Sequence, residues 1–243
     1  MKTKIIFTAA LTVIINLGSL NAQYGNNEMN ISLTANYTTS SKMYLSPYAQ
    51  DPFVRGQYES LDNIYSYGVE LKYRLSEPLI AGLNVEYVRK TGVESQIIGI
   101  RQFSTLAVDV NDGYTLIPVE LSVYYLMPFS SEQFKFFMGG GLGIYFGSHL
   151  RTFQGIDVSN EERKFAFGIH VNIGMEYMFT EYFSVTGGMK FRDPEFEVKS
   201  RYNENIFIYN DQEVLLRDET FDSKINIDGV IFYVGIGLGI DLY

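Results

Sequence analysis

Residues 165–179 read Phe165-Ala166-Phe167-Gly168-Ile169-His170-Val171-Asn172-Ile173-Gly174-Met175-Glu176-Tyr177-Met178-Phe179. Every odd position is apolar or aromatic, and the even positions are small or polar apart from Met178. A period of two held over this length does not fit a helix, whose period is 3.6. The run also exceeds the ~5–6 residues usual for a soluble strand. One apolar face and one polar face, on a strand long enough to cross a bilayer at a tilt, predict a transmembrane β-barrel.

The same alternation predicts further strands at Met29–Tyr37, Ile64–Leu75, Leu79–Val88, Tyr114–Met127, Phe134–Gly147, Phe183–Arg192 and Ile225–Tyr243. The connections alternate in length. Residues 76–78, 128–133 and 180–182 form tight turns, whereas 38–63, 89–113, 148–164 and 193–224 form long polar loops. Short periplasmic turns and long extracellular loops are the expected asymmetry of outer-membrane barrels. The expected fold class is therefore all-β: an eight-stranded, antiparallel, up-and-down barrel with both termini in the periplasm. The aromatics agree, since Tyr65, Tyr73, Tyr87, Phe146, Tyr177 and Phe183 fall near strand ends on the apolar face, where interfacial girdles sit.

Met1–Ala22 reads as a cleaved signal peptide: Lys2 and Lys4, an apolar run from Ile5 to Leu17, then Leu20-Asn21-Ala22 before Gln23. The expected barrel domain is then 23–243. The full chain carries 19 Lys and Arg against 28 Asp and Glu, a formal net charge of −9. Such a balance excludes nucleic acid as a partner, because phosphates call for clustered Lys and Arg. There is no cysteine, so neither disulfides nor a lipoprotein anchor is available. A closed barrel needs no disulfide, since its ladder has no open edge. The mean hydropathy of −0.02 is near zero because alternation halves the hydrophobicity of each strand.

On the polar face lie Glu70, Lys72, Arg74, Glu86, Glu120, His170, Glu176, Lys190 and Arg192. An eight-stranded barrel has an interior just wide enough to be filled by side chains. Mixed acids and bases there predict a network of paired charges that plugs the lumen, since unpaired buried charge is costly. A narrow polar pore is the alternative. Glycine rows at 139–143 and 235–239 either leave space or relieve bulky residues such as Tyr145. Pro118 cannot donate to the ladder and predicts a bulge or local opening, with a lateral exit for an apolar ligand as one consequence.

Arg89, Lys90, Arg163, Lys164 and Arg192 gather at the outer ends of the strands, where lipopolysaccharide phosphates would accept charge-assisted hydrogen bonds. The fourth long loop is acidic, with Glu195, Glu197, Glu204, Glu213, Asp218 and Glu219 among its carboxylates, but it lacks calcium-loop spacing. Phe196, Val198, Ile206 and Ile208 predict that the last two strands extend beyond the membrane as a hairpin.

Ile117-Pro118-Val119-Glu120-Leu121, Gly139 to Tyr145, Gly174-Met175-Glu176-Tyr177 and a last strand ending on an aromatic resemble the small outer-membrane β-barrel family of Gram-negative bacteria. Its OmpW, OmpX and OmpA-membrane-domain types are the members in view. The resemblance implies an outer-membrane location, contact with membrane lipid and lipopolysaccharide, and insertion by the barrel-assembly machinery. Tyr243 departs from the pattern: it is in phase with Asp241 and Gly239 on the polar face, whereas the apolar face ends at Leu242. Two barrel families act on lipid A, but Ser148 and His149 are adjacent and would point to opposite faces of a strand, and His170 has no obvious hydroxyl partner. No catalytic, cofactor or metal motif is present. The expected protein is a non-enzymatic, monomeric barrel with a largely plugged lumen and a structural or surface-interaction role through its loops. A porin-like channel for small or hydrophobic solutes is the alternative.

Overall fold

In the membrane, side chains that face outward meet hydrocarbon, whereas above it they meet water. The apolar residues of each strand therefore change faces where the strand leaves the bilayer. The computed structural model describes residues 28–101, 104–153, 156–209 and 212–240. The expected leader, Met1–Ala22, and Tyr243 lie outside them.

The strands are β1 (Met29–Tyr44), β2 (Glu59–Ser76), β3 (Leu79–Arg101), β4 (Ser104–Leu126), β5 (Phe134–Phe153), β6 (Ile156–Lys164), β7 (Ala166–Met178), β8 (Phe183–Arg192), β9 (Glu195–Tyr202), β10 (Ile206–Tyr209), β11 (Gln212–Leu216), β12 (Thr220–Asn226) and β13 (Val230–Ile240). A one-turn helix, α1 (Pro52–Arg55), is capped by the Asp51 side chain, which accepts from the Phe53 amide at 2.9 Å. Within the membrane β1, β2, β3, β4, β5, β7, β8 and β13 pair in that order, all antiparallel. β13 pairs back onto β1 from Met29↔Ile240 to Thr38↔Ile231. Backbone groups in hydrocarbon are thus satisfied between neighbours, as the absence of water there demands.

The outward rows are apolar and rimmed by aromatics. Tyr37 and Tyr65 (5.4 Å between ring centroids) and Phe146 and Phe165 (6.1 Å) mark the upper rim, and Phe134 and Tyr177 (4.7 Å) mark the lower. From Tyr65 to Leu75 the chain runs roughly 34 Å, which a ~40° tilt reduces to about 26 Å, the height of an outer-membrane apolar band.

Above the upper rim the phase inverts. On β4 the outward residues Ile117, Leu121 and Val123 are exposed, whereas Val108, Val110, Tyr114 and Leu116 are buried inward. The doublets Tyr87-Val88, Leu116-Ile117, Tyr145-Phe146 and Ile231-Phe232 each place one member outward and one inward at this boundary. Three of them are cross-strand neighbours, since Val88 pairs with Leu116 and Ile117 with Phe146, and the fourth lies beside Tyr37, which pairs with Phe232.

The long loops expected from polarity are therefore largely sheet. β3 and β4 continue as one hairpin through residues 89–113, with register kept from Val93↔Asp112 to Arg101↔Ser104. Residues 148–164 are the top of β5 and β6, and 193–224 hold β9 to β12. The first loop shrinks to the segment around α1, and the last expected strand breaks at residues 227–229 into β12 and β13. Outside hydrocarbon the outward face need not be apolar, so these strands look like loops by composition while keeping an inward period of two. The extension of the last two strands takes the form of β9 paired with β12, whereas Ile206 and Ile208 belong to a separate β10–β11 hairpin.

Amides of residues 93–101 and 104–112 that face across the β3–β4 ladder, about every second one, should be strongly protected from deuterium exchange. Exchange within minutes across 93–112 would show a loop where a ladder is expected.

Candidate functional site

The interior is built in layers. At the periplasmic end Lys72 stands between Glu70 (3.6 Å) and Glu176 (3.5 Å), with its ammonium over the Phe137 ring at 4.3 Å. Glu176 also accepts from Ser184 (2.5 Å) and Asn30 (3.0 Å), and Glu70 accepts from the Tyr124 hydroxyl (2.6 Å). Arg74, with Glu28, Lys72 and Lys135, lines a small vestibule of about 50 Å³ at this mouth.

Above it lies the second charged layer. Arg192 grips Glu86 with both terminal nitrogens (2.8 and 3.1 Å) and reaches Glu120 at 3.1 Å. Lys190 holds the other Glu120 oxygen at 2.6 Å. Ser66 donates to Glu86 (2.6 Å), and the Tyr145 hydroxyl donates to Glu120 (3.2 Å). All of these side chains are buried. His170 also lies here and does have a hydroxyl partner: Ser122 Oγ is 2.7 Å from its Nε2. The sequence hid that contact because the two residues sit on different strands.

The glycine rows differ: Gly139 and Gly143 make room for rings, as do glycines on other strands, whereas Gly141, Gly235 and Gly237 lie against neighbouring backbone and small polar side chains. A Cβ at Gly82 or Gly139 would strike the Tyr124 ring, one at Gly143 or Gly168 would meet Tyr145, and one at Gly174 or Gly188 would meet Tyr233. Tyr124, Tyr145 and Tyr233 interrupt the small-or-polar phase of their strands, and that interruption was the available sequence signal. An apolar layer comes next. Met43, Leu61, Ile64, Val88, Tyr114, Leu116, Tyr145, Phe196, Val198 and Ile225 form one buried cluster, with the Phe196 ring seated over Gly147.

A third polar layer sits above, outside the membrane. Arg151 binds both Asp112 oxygens (2.6 and 2.8 Å) and reaches the Tyr202 hydroxyl at 2.5 Å. His149 Nε2 is 2.8 Å from Asp112, and its Nδ1 is 2.8 Å from Ser223 Oγ. Ser95 donates to the same carboxylate. Burial alone would raise the Asp112 carboxyl, but hydrogen bonds from His149 and Arg151 outweigh it and hold the group well below the usual carboxylate range. Burial pushes the His149 imidazole below its ordinary value. A neutral His149 therefore donates from Nε2 to Asp112 and accepts from Ser223 at Nδ1. The order resembles a catalytic relay, but Asp112, His149 and Ser223 are all sealed from solvent. The cluster is a clasp, closed above by a second apolar core of Val108, Val110, Phe153, Tyr202, Phe207 and Val214. Asp112, Arg151 and Ser223 were missed because the sequence assigned them to loops. Among the described residues no group of three or more His, Asp or Glu is placed to hold a metal.

The outer basic residues divide. Arg192 belongs to the interior alone: its guanidinium is fully buried and does not reach lipopolysaccharide. Lys90 turns back to the Asn63 carbonyl (3.3 Å) and Lys164 pairs with Glu197 (2.7 Å), whereas Arg89 and Arg163 are exposed. Pro118 causes no bulge: the β3–β4 register is the same on either side of it, from Val85↔Val119 to Val88↔Leu116, and Pro118 still pairs with Tyr145 on β5.

An apolar belt between aromatic rims, a paired polar interior and a tall outer extension define an outer-membrane β-barrel. The chain belongs to the outer membrane protein beta-barrel domain family, whose model matches residues 7–212. Among solved structures it is similar to the outer membrane protein OprG from Pseudomonas aeruginosa: 14% identity, 91% of this chain and 100% of that chain covered, TM-score 0.55. It is also similar to Neisserial surface protein A, NspA (13% identity, 89% and 100% covered, TM-score 0.46), and to the E. coli outer membrane protein W (13%, 90% and 100%, TM-score 0.37). At such identities the likeness to OprG speaks for the fold alone. No curated protein sequence matches the chain. The protein resides in the outer membrane, with membrane lipid against its outward face.

Because both Asp112 and His149 titrate below their ordinary values, the unfolded outer extension binds more protons than the folded one. Its stability should be full above about pH 7 and decline as pH falls through the ordinary histidine range near 6.5 and then the carboxylate range. Amide protection at 108–112 and 149–153, corrected for intrinsic rate, should drop by up to about tenfold per pH unit below 6. His149→Gln should flatten the upper part of that profile. A profile flat from pH 8 to 5 in the wild type would contradict the clasp.

Proposed function

We propose that the protein is a surface-interaction barrel with a plugged lumen, non-catalytic, working through its outer extension. The observation that carries this reading is the buried layer of Tyr114, Tyr145 and Phe196 above the ion pairs, since aromatic rings across the interior leave no continuous polar path. Ion pairs alone would make a weaker seal, because charged side chains are readily hydrated. Arg89 and Arg163 are exposed cations at the right height for lipopolysaccharide phosphates. Family membership supports insertion by the barrel-assembly machinery.

A lateral path for hydrophobic solutes is the second reading. It is favoured by an open apolar depression of about 940 Å³ on the outward face, lined by Leu33, Ala35, Tyr67, Val85 and Ile117, with Glu86 also at its wall.

Refolded wild-type protein in a planar bilayer should be electrically silent, with folding verified by heat-modifiable gel mobility. The Tyr114→Ala, Phe196→Ala double variant should show steady conductance. A conducting wild type would overturn the plug, and hydrocarbon uptake abolished by Ile117→Trp would favour the lateral path instead.

A further inference from the structure

The ladder returns on itself within the membrane, but among the described residues the outer extension does not close. Above Ser66↔Val88, β2 loses β3, which meets β11 only at Gly99 and Ile100, and β10 pairs only with β11 among the described residues. The open edges of the outer sheet include the top of β2 and β10.

These edges differ in chemistry. Residues 59–63 of β2 carry Glu59 and Asp62, and Asn63 has a φ of 56° that breaks the strand geometry. Charges and irregular backbone of this kind are how proteins block unwanted strand addition. β10 reads Ile206-Phe207-Ile208-Tyr209, with no charge in the strand, and its four-residue length is its only such guard. Its inner face is anchored, because Phe207 is buried in the outer core with its ring edge-on to Phe153 at 5.3 Å. Its outer face continues an apolar row, in which Ile100 on β3 opposes Leu215 on β11, and Leu215 opposes Ile206. Exposure climbs along that row toward the edge, from 37% at Ile100 to 45% at Leu215 and 57% at Ile206, and reaches 68% at Ile208. A row that grows more exposed strand by strand lacks its next neighbour.

Hydrogen-bond parity identifies the free groups. The Leu216 amide donates to the Asn205 carbonyl at 2.8 Å, so that pair is a hydrogen-bonded one. Alternation along an antiparallel ladder then turns Phe207 and Tyr209 toward β11 and turns the amides and carbonyls of Ile206 and Ile208 to the open side. The edge carries a carboxylate at each end: Glu204 precedes the strand, and Glu213 lies across from Ile208. Arg101 sits two strands inboard on β3.

We propose that β10 is a docking edge that takes a strand from an extracellular polypeptide, with apolar residues at alternate positions and basic residues at both flanks. Main-chain hydrogen bonds to Ile206 and Ile208 supply the pairing, the apolar row supplies side-chain contacts, and Glu204 and Glu213 select the flanks. This rests on the surface-interaction reading and names its site and the class of its partner.

The test uses the folded protein in lipid nanodiscs and a fluorescently labelled peptide Lys-Lys-Val-Thr-Val-Thr-Val-Lys-Lys. Its anisotropy should rise saturably with wild-type protein. Ile208→Pro removes a donor that faces the open side, which an edge strand tolerates. It should weaken binding by about tenfold or more, the equivalent of one to two lost hydrogen bonds. A peptide with glutamates in place of the lysines should bind more weakly, and one N-methylated along its backbone should not bind. Heat-modifiable mobility and unchanged amide protection at 117–123 verify folding of the variant. No binding to the wild type, or equal binding to Ile208→Pro, overturns the proposal. Dimerisation of the wild type that Ile208→Pro abolishes, without peptide binding, also overturns it and makes a second copy the occupant. Bilayer conductance separates the two readings: a silent barrel that ignores the peptide leaves the plug intact and removes only the docking edge.

Discussion

Arg192 is a fully buried guanidinium between two buried carboxylates, Glu86 and Glu120, and the barrel interior is organised around that contact. Removing three charges from water costs several kcal/mol each, and the cost is recovered only if geometry and supporting hydrogen bonds are good. Glu86 supplies a two-pronged acceptor to the planar fork of Arg192, a match that lysine would not reproduce. Lys190, Ser66, Asn84 and Tyr145 then occupy the remaining acceptor positions of the two glutamates. The contributing strands are β2, β3, β4, β5 and β8, so one polar knot fixes the register of strands far apart in sequence.

A second constraint is the solvent itself. Hydrocarbon outside forces polar groups inward, and water outside allows apolar groups inward. The chain obeys both rules along single strands by changing phase at the membrane surface. The same inversion lays an apolar layer, Tyr114 and Phe196 included, directly over the charged one. It also explains why the outer extension is a folded body with its own core rather than a set of tethered loops. A rigid extension can present a fixed edge, whereas a mobile loop would lose conformational entropy on docking.

Much of this was legible in the chain. The spans within the membrane were marked by strict alternation, as in Phe165 to Phe179, and the interior charges by their phase. Polarity was the misleading signal. Residues 89–113 and 193–224 are rich in charge and look like loops by composition, although Leu106, Val108 and Val110 keep an inward period of two. The apolar doublets, such as Leu116-Ile117, record the change of face. Contacts across the barrel were out of reach, because nothing local links Ser122 to His170 or Asp112 to His149. The clasp of Asp112, His149 and Arg151 was lost for both reasons: its residues fell in assumed loops, and its partners are distant in sequence.

The central claim is that the buried pairs act as a unit that holds the barrel in register and filled. A double-mutant cycle on Glu86 and Arg192 tests it most directly, with urea unfolding of the folded protein in lipid vesicles followed by gel mobility. Glu86→Leu and Arg192→Met should each destabilise by about 3–5 kcal/mol, because each leaves a charge without its main partner. The double variant should cost clearly less than their sum, with a coupling of about 2 kcal/mol or more. Single losses below about 1 kcal/mol, or strict additivity, would mean that the two groups are independently solvated and that the interior is a hydrated passage rather than a plug.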